Sequence, residues 1–474
     1  MEGGGGLGGV ARIGYDGGGY VSVPRPRVVL GWSKRLGSCA GEAVVVTAGM
    51  RLVELLTKEF TPAVGCTEPA AIALATATAY HAIGGEPREI TVSLSTNVLK
   101  NAWAVGIPGT SDTGIEVASL LGVVLNRPDA GLELFSLVSE KAVEQARRLR
   151  ERCPVTVTTQ DSVPRVYIHA RVVTDRGVAI AETRERHAWV KLLAVDGCET
   201  NASSAEQERG VVSPRTIGTL ADVLSAVSSI PPGDLDFLLE RASLNLAMAK
   251  AGLATDDGIG INALRHGAIP EAILGRGIGA RLALHAAAAC DARMAGVQLP
   301  VASCGGSGNL GITASVPVLL GAEELGAPRE KMARALAASL VTSLYVKEFL
   351  GRLSPVCGCA LGGGSGVAAG LACLCGGDVS VMSAAVTNVV ATLAGMLCDG
   401  GKVGCSLKVW STVMTACQAA LLAVNGRAVP AGNGLVGPNL EATLCNLARL
   451  GSEGMASADR VLVSVLQGRT GSEA

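Results

Sequence analysis

The sequence predicts an α+β fold, in which an N-terminal α/β portion with a small antiparallel β-sheet precedes a mainly helical C-terminal bundle. Apolar and polar residues alternate over residues 155–195, which is typical of half-buried strands. From about residue 216 onward, apolar residues recur at helical spacing between glycine and proline interruptions. Hydrophobic residues make up 49% of the chain, aromatic residues only 3%, and there are 62 glycines. Such small side chains predict closely packed helices.

The first 49 residues differ from the rest of the chain. They contain the glycine-rich stretches MEGGGGLGG and YDGGGY and the segment PRPR, with no sustained helical or alternating pattern. We interpret residues 1–49 as a disordered leader or as the product of a start codon assigned too early. Met50 then begins an amphipathic helix with the sequence MRLVELLTKEF.

The N-terminal portion alternates between helix and strand. TEPAAIALATATAYHAI predicts a helix with Thr67 as its N-cap and Pro69 in the first turn, where a missing N–H costs nothing. EITVSLSTN (89–97) alternates like a strand, whereas residues 113–125 and 134–152 have helical spacing.

Two turn sequences, DSVP and TDRG, divide residues 155–195 into strands of an antiparallel sheet.

Further along, GSGNLG (306–311) matches G-x-G-x-x-G. Its preceding context is helical and Pro317 interrupts the segment after it, which disfavours a dinucleotide-binding βαβ unit. Backbone N–H groups that bind a carboxylate or phosphate at a helix start are the favoured interpretation. The helices predicted for the C-terminal bundle are LADVLSAV, DLDFLLERASLNLAMAKAG, ALHAAAACDARMAG, KMARALAASLVTSLYVKEFLGRL, 366–375, 380–398 and 408–424.

Charge and hydropathy exclude several classes of function. The formal net charge is −1 and no basic patch is interleaved with aromatic residues, so we expect no nucleic-acid partner. The mean hydropathy is +0.39. The most apolar segment, 380–398, is interrupted by Ser, Thr and Asn, so it predicts a buried helix rather than a membrane span. The first residues do not have the pattern of a secretory signal. We expect a cytoplasmic protein, and the Ala/Gly-rich helix faces make a homodimer plausible.

The chain has 14 cysteines, which in a reducing compartment are buried apolar residues or metal ligands rather than a disulfide scaffold. Cys66 stands directly before a predicted helix N-terminus, where a thiolate is favoured. Cys357 and Cys359 precede another helix, and Cys398 and Cys405 bracket a glycine turn. Neither spacing matches a zinc or ferredoxin pattern. Tight packing and convergence on a metal site both remain open.

A polar loop comes after the strand at 89–97. Asn97, Lys100, Asn101 and the sequence GIPGT offer amide, ammonium and backbone groups that suit a small zwitterion. A solvated turn is the alternative, and the pattern alone does not choose between them.

Six motifs, taken together and in order, resemble the L-cysteine desulfidase-like proteins of the iron–sulfur L-serine dehydratase alpha-subunit superfamily. The resemblance covers roughly residues 50–468 and implies one catalytic domain over 50–470, with a β insertion at about 153–197. It also implies an oxygen-sensitive [4Fe-4S] cluster that is held by three cysteines and leaves one iron open. The motifs are GCTEPAAIALA, NVLKNAWAVGIPGT, DARMAG, GSGNLGITASVPV, GRLSPVCGCA and GMLCDGGKVGCSLKV.

Residue by residue, the resemblance implies that Cys66 and Cys398 are cluster ligands. A third ligand falls within CGC, where we prefer Cys357 to Cys359 because it stands nearer the turn. The serine dehydratase branch uses a cysteine near the position of Cys405, so this residue is a further candidate and the branch stays open. The chain lacks the beta-subunit-like region of many serine dehydratases, which favours the desulfidase branch.

The implied chemistry is β-elimination. An open iron acts as a Lewis acid, a general base removes the Cα proton, and the β-substituent leaves. The aminoacrylate hydrolyses to pyruvate and ammonia, with sulfide released from L-cysteine; L-serine dehydration and a non-catalytic cluster- or small-molecule-binding role are the alternatives. Lys100 is the first candidate base and Lys402 the second. The candidate substrate contacts are Asn97, Asn101, Ser307 and Asn309.

Overall fold

The computed structural model describes residues 38–200, 213–265, 273, 275, 277–351 and 353–468. The chain divides into two units, Met1–Glu42 and Ala43–Ala474. The leader predicted over residues 1–49 therefore lies mostly outside the described residues. Helix α1 (Ser38–Glu59) contains the predicted MRLVELLTKEF helix but begins before Met50. Gly49 lies inside the helix, where a side chain would crowd Ser229 and Ile230 at 3.3 Å.

The predicted α+β class is confirmed. Two sheets lie beside a large helical part, and a π-helical turn (Cys359–Gly363) precedes helix α11. The helices after α1 are α2 (Thr67–Ile83), α3 (Thr96–Ala102), α4 (Ile115–Leu125), α5 (Glu140–Arg150), α6 (Leu220–Ser228), α7 (Asp236–Gly252), α8 (Ile278–Ala295), α9 (Gly308–Glu324), α10 (Arg329–Leu350), α11 (Gly364–Leu374), α12 (Val379–Leu393), α13 (Cys405–Val424), α14 (Leu440–Arg449) and α15 (Ala458–Gly468). The strands are β1 (Phe60–Val64), β2 (Pro87–Ser95), β3 (Val155–Gln160), β4 (Tyr167–Thr174), β5 (Gly177–Arg184), β6 (Val190–Val195), β7 (Cys198–Glu199) and β8 (Pro300–Cys304).

The larger sheet has six strands in the order β3-β2-β4-β5-β6-β7. The expectation that β3 and β4 pair across DSVP is wrong, because β2 lies between them, parallel to β3 and antiparallel to β4. Helices α3, α4 and α5 separate β2 from β3 in sequence, and a parallel pair needs such a long crossover. The TDRG turn does join an antiparallel pair, β4 and β5, as predicted.

Helix α2 is buried along most of its length against the sheet and α4. At its closest approach, a Cβ on Gly122 would lie 2.3 Å from the carbonyl oxygen of Ala73, so only glycine fits there. The N-cap of α2 is Cys66 rather than the predicted Thr67. Cys66 has extended backbone angles, whereas the Thr67 hydroxyl donates to the Glu68 carboxylate instead of capping the helix.

The helical part is held together by small side chains. Helix α8 packs against α7, α9 and α13 through a fully buried run of alanines, 286–289. Helix α11 approaches α10 so closely that a Cβ on Gly366 would lie 2.2 Å from the Ser343 hydroxyl. The low aromatic content thus produces the close helix packing that the composition predicts.

Two apolar segments of this part bear on the membrane question. The predicted helix at 380–398 is observed as α12 (Val379–Leu393), with residues such as Val386 and Val389 fully buried. Within the described part of the chain, α13 alone has the length and composition of a membrane-crossing helix, and 39% of its most apolar window is buried.

The smaller sheet pairs β1 with β8 in antiparallel fashion. The residues before GSGNLG therefore form a strand, and the helical context predicted for them is wrong. Their alternation was hidden because β8 is buried on both faces, so nearly all of its residues are apolar or small. Since β8 pairs with a distant antiparallel strand, the expectation that no βαβ dinucleotide unit exists here agrees with the topology of the described residues.

Candidate active site

One cavity of about 110 Å³ gathers five of the cysteines. They come from four places in the sequence: the β1–α2 junction, the segment around the start of the π-helical turn, the segment after α12 and the first residue of α13. The five thiols proposed from the sequence are therefore brought to one cavity by the fold. We call them the cysteine wall: Cys66, Cys357, Cys359, Cys398 and Cys405.

A short antiparallel bridge fixes two members of this wall. The Cys357 N–H donates to the carbonyl of Met396 at 2.8 Å, and the Cys398 N–H donates to the carbonyl of Pro355 at 2.7 Å. Between these bonds, Val356 pairs with Leu397. The backbone thus sets the position of Cys357 relative to Cys398, although the two are far apart in sequence.

A glycine turn brings Cys66 to the same place. Gly400 has φ +95°, and a Cβ there would lie 2.3 Å from the carbonyl oxygen of Lys100. A Cβ on Gly401 would lie 2.8 Å from the carbonyl oxygen of Asn101 and 3.6 Å from Cys66 Sγ. The MLCDGG motif therefore needs its glycines, since the turn packs directly against α3 and Cys66.

The thiols of this wall differ in acidity. Burial raises the pKa of Cys66 and Cys398, and it raises the pKa of Cys405 to about 11. A hydrogen bond donated by Cys359 lowers the pKa of Cys357 to about 6 against the effect of burial. The same bond, together with burial, raises the pKa of Cys359. In the protein without metal, Cys357 is the thiol that most readily carries negative charge.

Polar residues face the cavity from other elements. They belong to the start of α2, the end of α3, the loop between β5 and β6, α8, and the start of α9. Ser307 caps α9, its hydroxyl accepting from the Leu310 N–H at 3.3 Å, so the helix start points its N–H groups into this region. We call the following residues the polar wall: Glu68, Asn101, His187, Arg293 and Asn309.

Arg293 is the buried cation of the polar wall, with 2% of the residue exposed. Its guanidinium donates to Asn309 Oδ1 at 2.8 Å and to the carbonyl of Gly65 at 2.6 Å. A Cβ on Gly308 would lie 2.4 Å from the guanidinium, so the side chain packs over the first turn of α9. Its Nε has no hydrogen-bond partner among the described residues.

Glu68 is the buried anion of this wall. Its carboxylate accepts from Cys66 Sγ at 3.0 Å and from Asn101 Nδ2 at 3.1 Å, and His187 Nε2 lies 3.7 Å away. Burial alone raises the pKa of Glu68, but the interactions with His187 and Cys66 outweigh it and hold that pKa well below its usual range. Glu68 is therefore charged, and the oxygen Oδ1 of Asn101 beside it has no partner among the described residues.

His187 comes from the β insertion and is 5% exposed. The sequence pattern assigned it to a strand, but β6 begins only at Val190 and His187 lies in the preceding loop. Within the described part of the chain, neither ring nitrogen has a hydrogen-bond partner. His187 lines the cavity next to the Glu68 carboxylate, which makes it a candidate for proton transfer.

Three of the predicted substrate contacts, Asn101, Ser307 and Asn309, line the cavity. Asn97 does not, and its amide donates to Asp459. Its role in substrate binding stays a prediction.

The two lysines predicted as bases lie outside the cavity lining. Lys100 Nζ donates to Asp459 Oδ1 at 2.5 Å and to the carbonyl of Cys398 at 3.0 Å. Lys402 forms an ion pair with Asp399. Their catalytic roles also stay predictions.

Three residues of the polar wall were missed in the sequence. Glu68 adjoins Cys66 in GCTEP, and Arg293 is a charged residue in the Ala-rich segment DARMAG, so both carried a usable signal. His187 carried none, because only the folding of the β insertion brings its loop to the cavity.

The donor set of the cavity is rich in thiols. Among the described residues, no three His, Cys, Asp or Glu side chains converge closely enough to hold one metal ion. The five cysteines of the wall are free thiols. A cluster of irons and sulfides is larger than one ion, so thiolates spaced around a cavity suit it, and thiolates are the ligands such clusters prefer.

Comparison with known proteins identifies the family of the chain. The family model described as serine dehydratase alpha chain matches residues 129–464. A UPF0597 protein of Oleidesulfovibrio alaskensis is 37% identical over 418 residues, covering 88% of this chain and 97% of that protein. UPF0597 proteins of Bacteroides fragilis and Clostridioides difficile are each 35% identical, over 88% and 87% of this chain and 97% and 98% of their own lengths. These matches confirm the superfamily indicated by the six motifs.

Proposed function

Because this chain belongs to the serine dehydratase alpha-chain family, we propose that it is an iron–sulfur-dependent β-eliminating lyase acting on a small L-amino acid. We propose L-cysteine as its main substrate, converted to pyruvate, ammonia and hydrogen sulfide. Family membership supports a lyase of the dehydratase kind. The observation that carries the finer proposal is a single cavity in which five free thiols face a buried carboxylate, guanidinium and imidazole.

The cysteine wall suits a [4Fe-4S] cluster. Cys66, Cys357 and Cys398 are the residues that would hold it, with Cys405 and Cys359 as further candidates. When bound, the cluster supplies a Lewis-acidic iron for the substrate carboxylate and the departing β-substituent. L-Serine is the second candidate substrate, because Cys405, the position that corresponds to the serine dehydratase branch, also lines the cavity.

The polar wall suits the two charges of an amino acid. Arg293 and the N–H groups at the start of α9 offer positive potential for the carboxylate, and Arg293 Nε is still unpaired among the described residues. The Glu68 carboxylate and the free Asn101 Oδ1 offer acceptors for the ammonium group. Charges held at both ends of so small a substrate orient its Cα–H bond.

His187 is the residue that we assign to proton transfer. Its Nε2 faces Glu68 at 3.7 Å, which leaves Nδ1 to accept the Cα proton. The electrons of the Cα–H bond form the Cα=Cβ bond, and the Cβ–S bond breaks with its electron pair on sulfur. The proton held by His187 then completes hydrogen sulfide. The aminoacrylate tautomerises, and one water hydrolyses the imine to pyruvate and ammonia. Lys100 and Lys402 lie in ion pairs outside the cavity wall.

Anaerobic reconstitution with iron and sulfide tests the proposal. We expect a brown protein with about four irons per chain, and release of pyruvate, ammonia and sulfide in equal amounts from L-cysteine. L-Serine, L-threonine and D-cysteine complete the panel. Iron-free protein after reconstitution would overturn the cluster. A loaded protein that releases no pyruvate from any of these substrates would instead indicate a non-catalytic cluster-binding protein.

A further inference from the structure

The last described helix, α15, is attached to the rest of the protein through Asp459. The Asp459 carboxylate accepts from Lys100 Nζ and from Asn97 Nδ2, each at 2.5 Å. The side chain of Lys100 is 1% exposed and that of Asp459 is 14% exposed. A residue in the first turn of α15 thus neutralises a fully buried lysine that lies far away in the sequence.

Lys100 also contacts the segment that carries Cys398. Its Nζ donates to the carbonyl of Cys398 at 3.0 Å. Its own carbonyl oxygen lies so close to Gly400 that a Cβ there would approach it to 2.3 Å. Lys100 therefore touches this segment through both its ammonium and its backbone.

We propose that Asp459 and Lys100 are positioning residues for the cluster ligand Cys398. The inference rests on the proposed function, because it assigns to Cys398 a cluster-binding role. The carboxylate of α15 fixes the direction of the Lys100 ammonium, and the ammonium holds the Cys398 carbonyl. The docking of α15 and the position of the segment that carries Cys398 are then coupled.

The burial of the pair makes the coupling strong. An exposed lysine would lose little on removal of its partner, since water solvates the ammonium. Lys100 has no such access, so removal of Asp459 leaves a buried charge without compensation and a side chain without a fixed direction. Asp399 forms ion pairs with Lys402 and Lys408 on the other side of the segment, and its side chain is about one-third exposed. These ion pairs therefore hold the segment less firmly than the pair of Lys100 with Asp459.

Loss of iron to a chelator under anaerobic conditions measures the coupling. For Asp459→Asn and Lys100→Met we expect roughly tenfold faster iron loss than for the wild type. We also expect an altered electron paramagnetic resonance spectrum of the reduced cluster. Lys100→Arg retains a donor and should restore both measurements in part. The double variant Lys100→Met/Asp459→Asn should lose iron no faster than either single variant, because both act through one contact.

A matched control removes an ion pair elsewhere. Glu324→Gln breaks the surface pair with Arg281 and should change neither iron loss nor the spectrum. Wild-type rates and spectra in both Asp459→Asn and Lys100→Met would overturn the positioning role. A wild-type protein that binds no iron would overturn the proposed function instead.

Should these variants not fold, hydrogen exchange in the wild-type protein tests the same coupling. We expect slower amide exchange over residues 458–468 in the reconstituted protein than in the iron-free protein. Identical exchange in the two forms would overturn the inference, because coupling between the cluster site and α15 is reciprocal.

Discussion

The cysteine wall and the polar wall face the same cavity but are built in opposite ways. Backbone contacts position the cysteine wall: the bridge between Val356 and Leu397, and a glycine turn packed on α3. Hydrogen bonds between side chains position the polar wall, as between Arg293 and Asn309 or between Glu68 and Asn101.

This difference separates two tasks. Backbone contacts fix where the thiols lie, and a thiol loses its proton when it binds metal, which for Cys66 gives up the hydrogen bond to Glu68. The polar wall has few unused groups, chiefly Arg293 Nε, Asn101 Oδ1 and the His187 ring, and each is a defined donor or acceptor for a small ligand. One wall suits an inorganic group, and the other suits a zwitterion.

The largest effect is expected from the cysteine wall. Cys66→Ala and Cys398→Ala should each abolish iron binding and lyase activity, since a cluster held by three thiolates cannot lose one. Iron content and visible absorption after anaerobic reconstitution measure the loss. The control is Cys304→Ala, which removes a fully buried thiol outside the cavity and should keep its iron. Full iron content in either wall variant would remove that cysteine from the ligand set.

A change to His187 should separate proton transfer from iron binding. His187→Gln is expected to lower kcat about 10³-fold while the iron content stays that of the wild type. Substrate deuterated at Cα should then show a larger isotope effect, because proton removal limits the rate. His81→Gln, which changes an exposed histidine, is the matched control. Wild-type kcat in His187→Gln would return the base to Lys100 or Lys402.

We expect binding of the substrate carboxylate to depend on Arg293. Arg293→Lys should lower kcat/KM about 10²-fold with iron retained, because an ammonium cannot reproduce the two-pronged contact to Asn309 and Gly65. Steady-state kinetics with an amino acid and with its carboxamide test the assignment. The substitution should lower kcat/KM for the acid but not for the carboxamide. Arg281→Lys, on the surface, serves as the control. If Arg293→Lys and the wild type preferred the acid over the carboxamide by the same factor, the assignment would be contradicted.

How far the sequence predicted the structure also differs between the two walls. All five cysteines were proposed as ligand candidates, because they stand beside glycine turns and helix starts and lie in motifs that carry the family resemblance. The polar wall was found only in part. Asn101 and Asn309 belong to polar stretches that the pattern revealed, although the structure places them in α3 and α9. His187 lies in a loop of the β insertion, and the strand order of that sheet cannot be read from alternation. Alternation identifies a strand and its faces, not its partner, so the insertion of β2 between β3 and β4 was invisible.

Helix boundaries were mispredicted for a related reason. Helix α1 continues through Gly49, which packs against Ser229 and Ile230, and the N-cap of α2 depends on the contact between Thr67 and Glu68. Helix propensity is a property of single residues, so it includes neither of these contacts. The small-residue composition did predict the close helix packing, because that packing needs only small side chains and no particular partner.

The smallest effect expected is on the stability of the iron-free protein, through Glu68. Its pKa in the folded protein lies below the unfolded value of 4.5, because interactions with His187 and Cys66 outweigh burial. The carboxylate therefore stabilises the fold above about pH 4.5. As the pH falls below this value, the unfolded chain binds the proton more tightly than the folded one and the stabilisation declines.

Glu68→Gln removes this dependence. We expect the wild type to be more stable than Glu68→Gln by about 1–3 kcal/mol near pH 6, and the difference to shrink toward pH 3. Urea unfolding of both iron-free proteins across this range measures it, with the exposed Glu133→Gln as the control. A difference that grew as the pH fell would mean that Glu68 is protonated in the fold, and the polar wall would then lack the anion assigned to the substrate ammonium group.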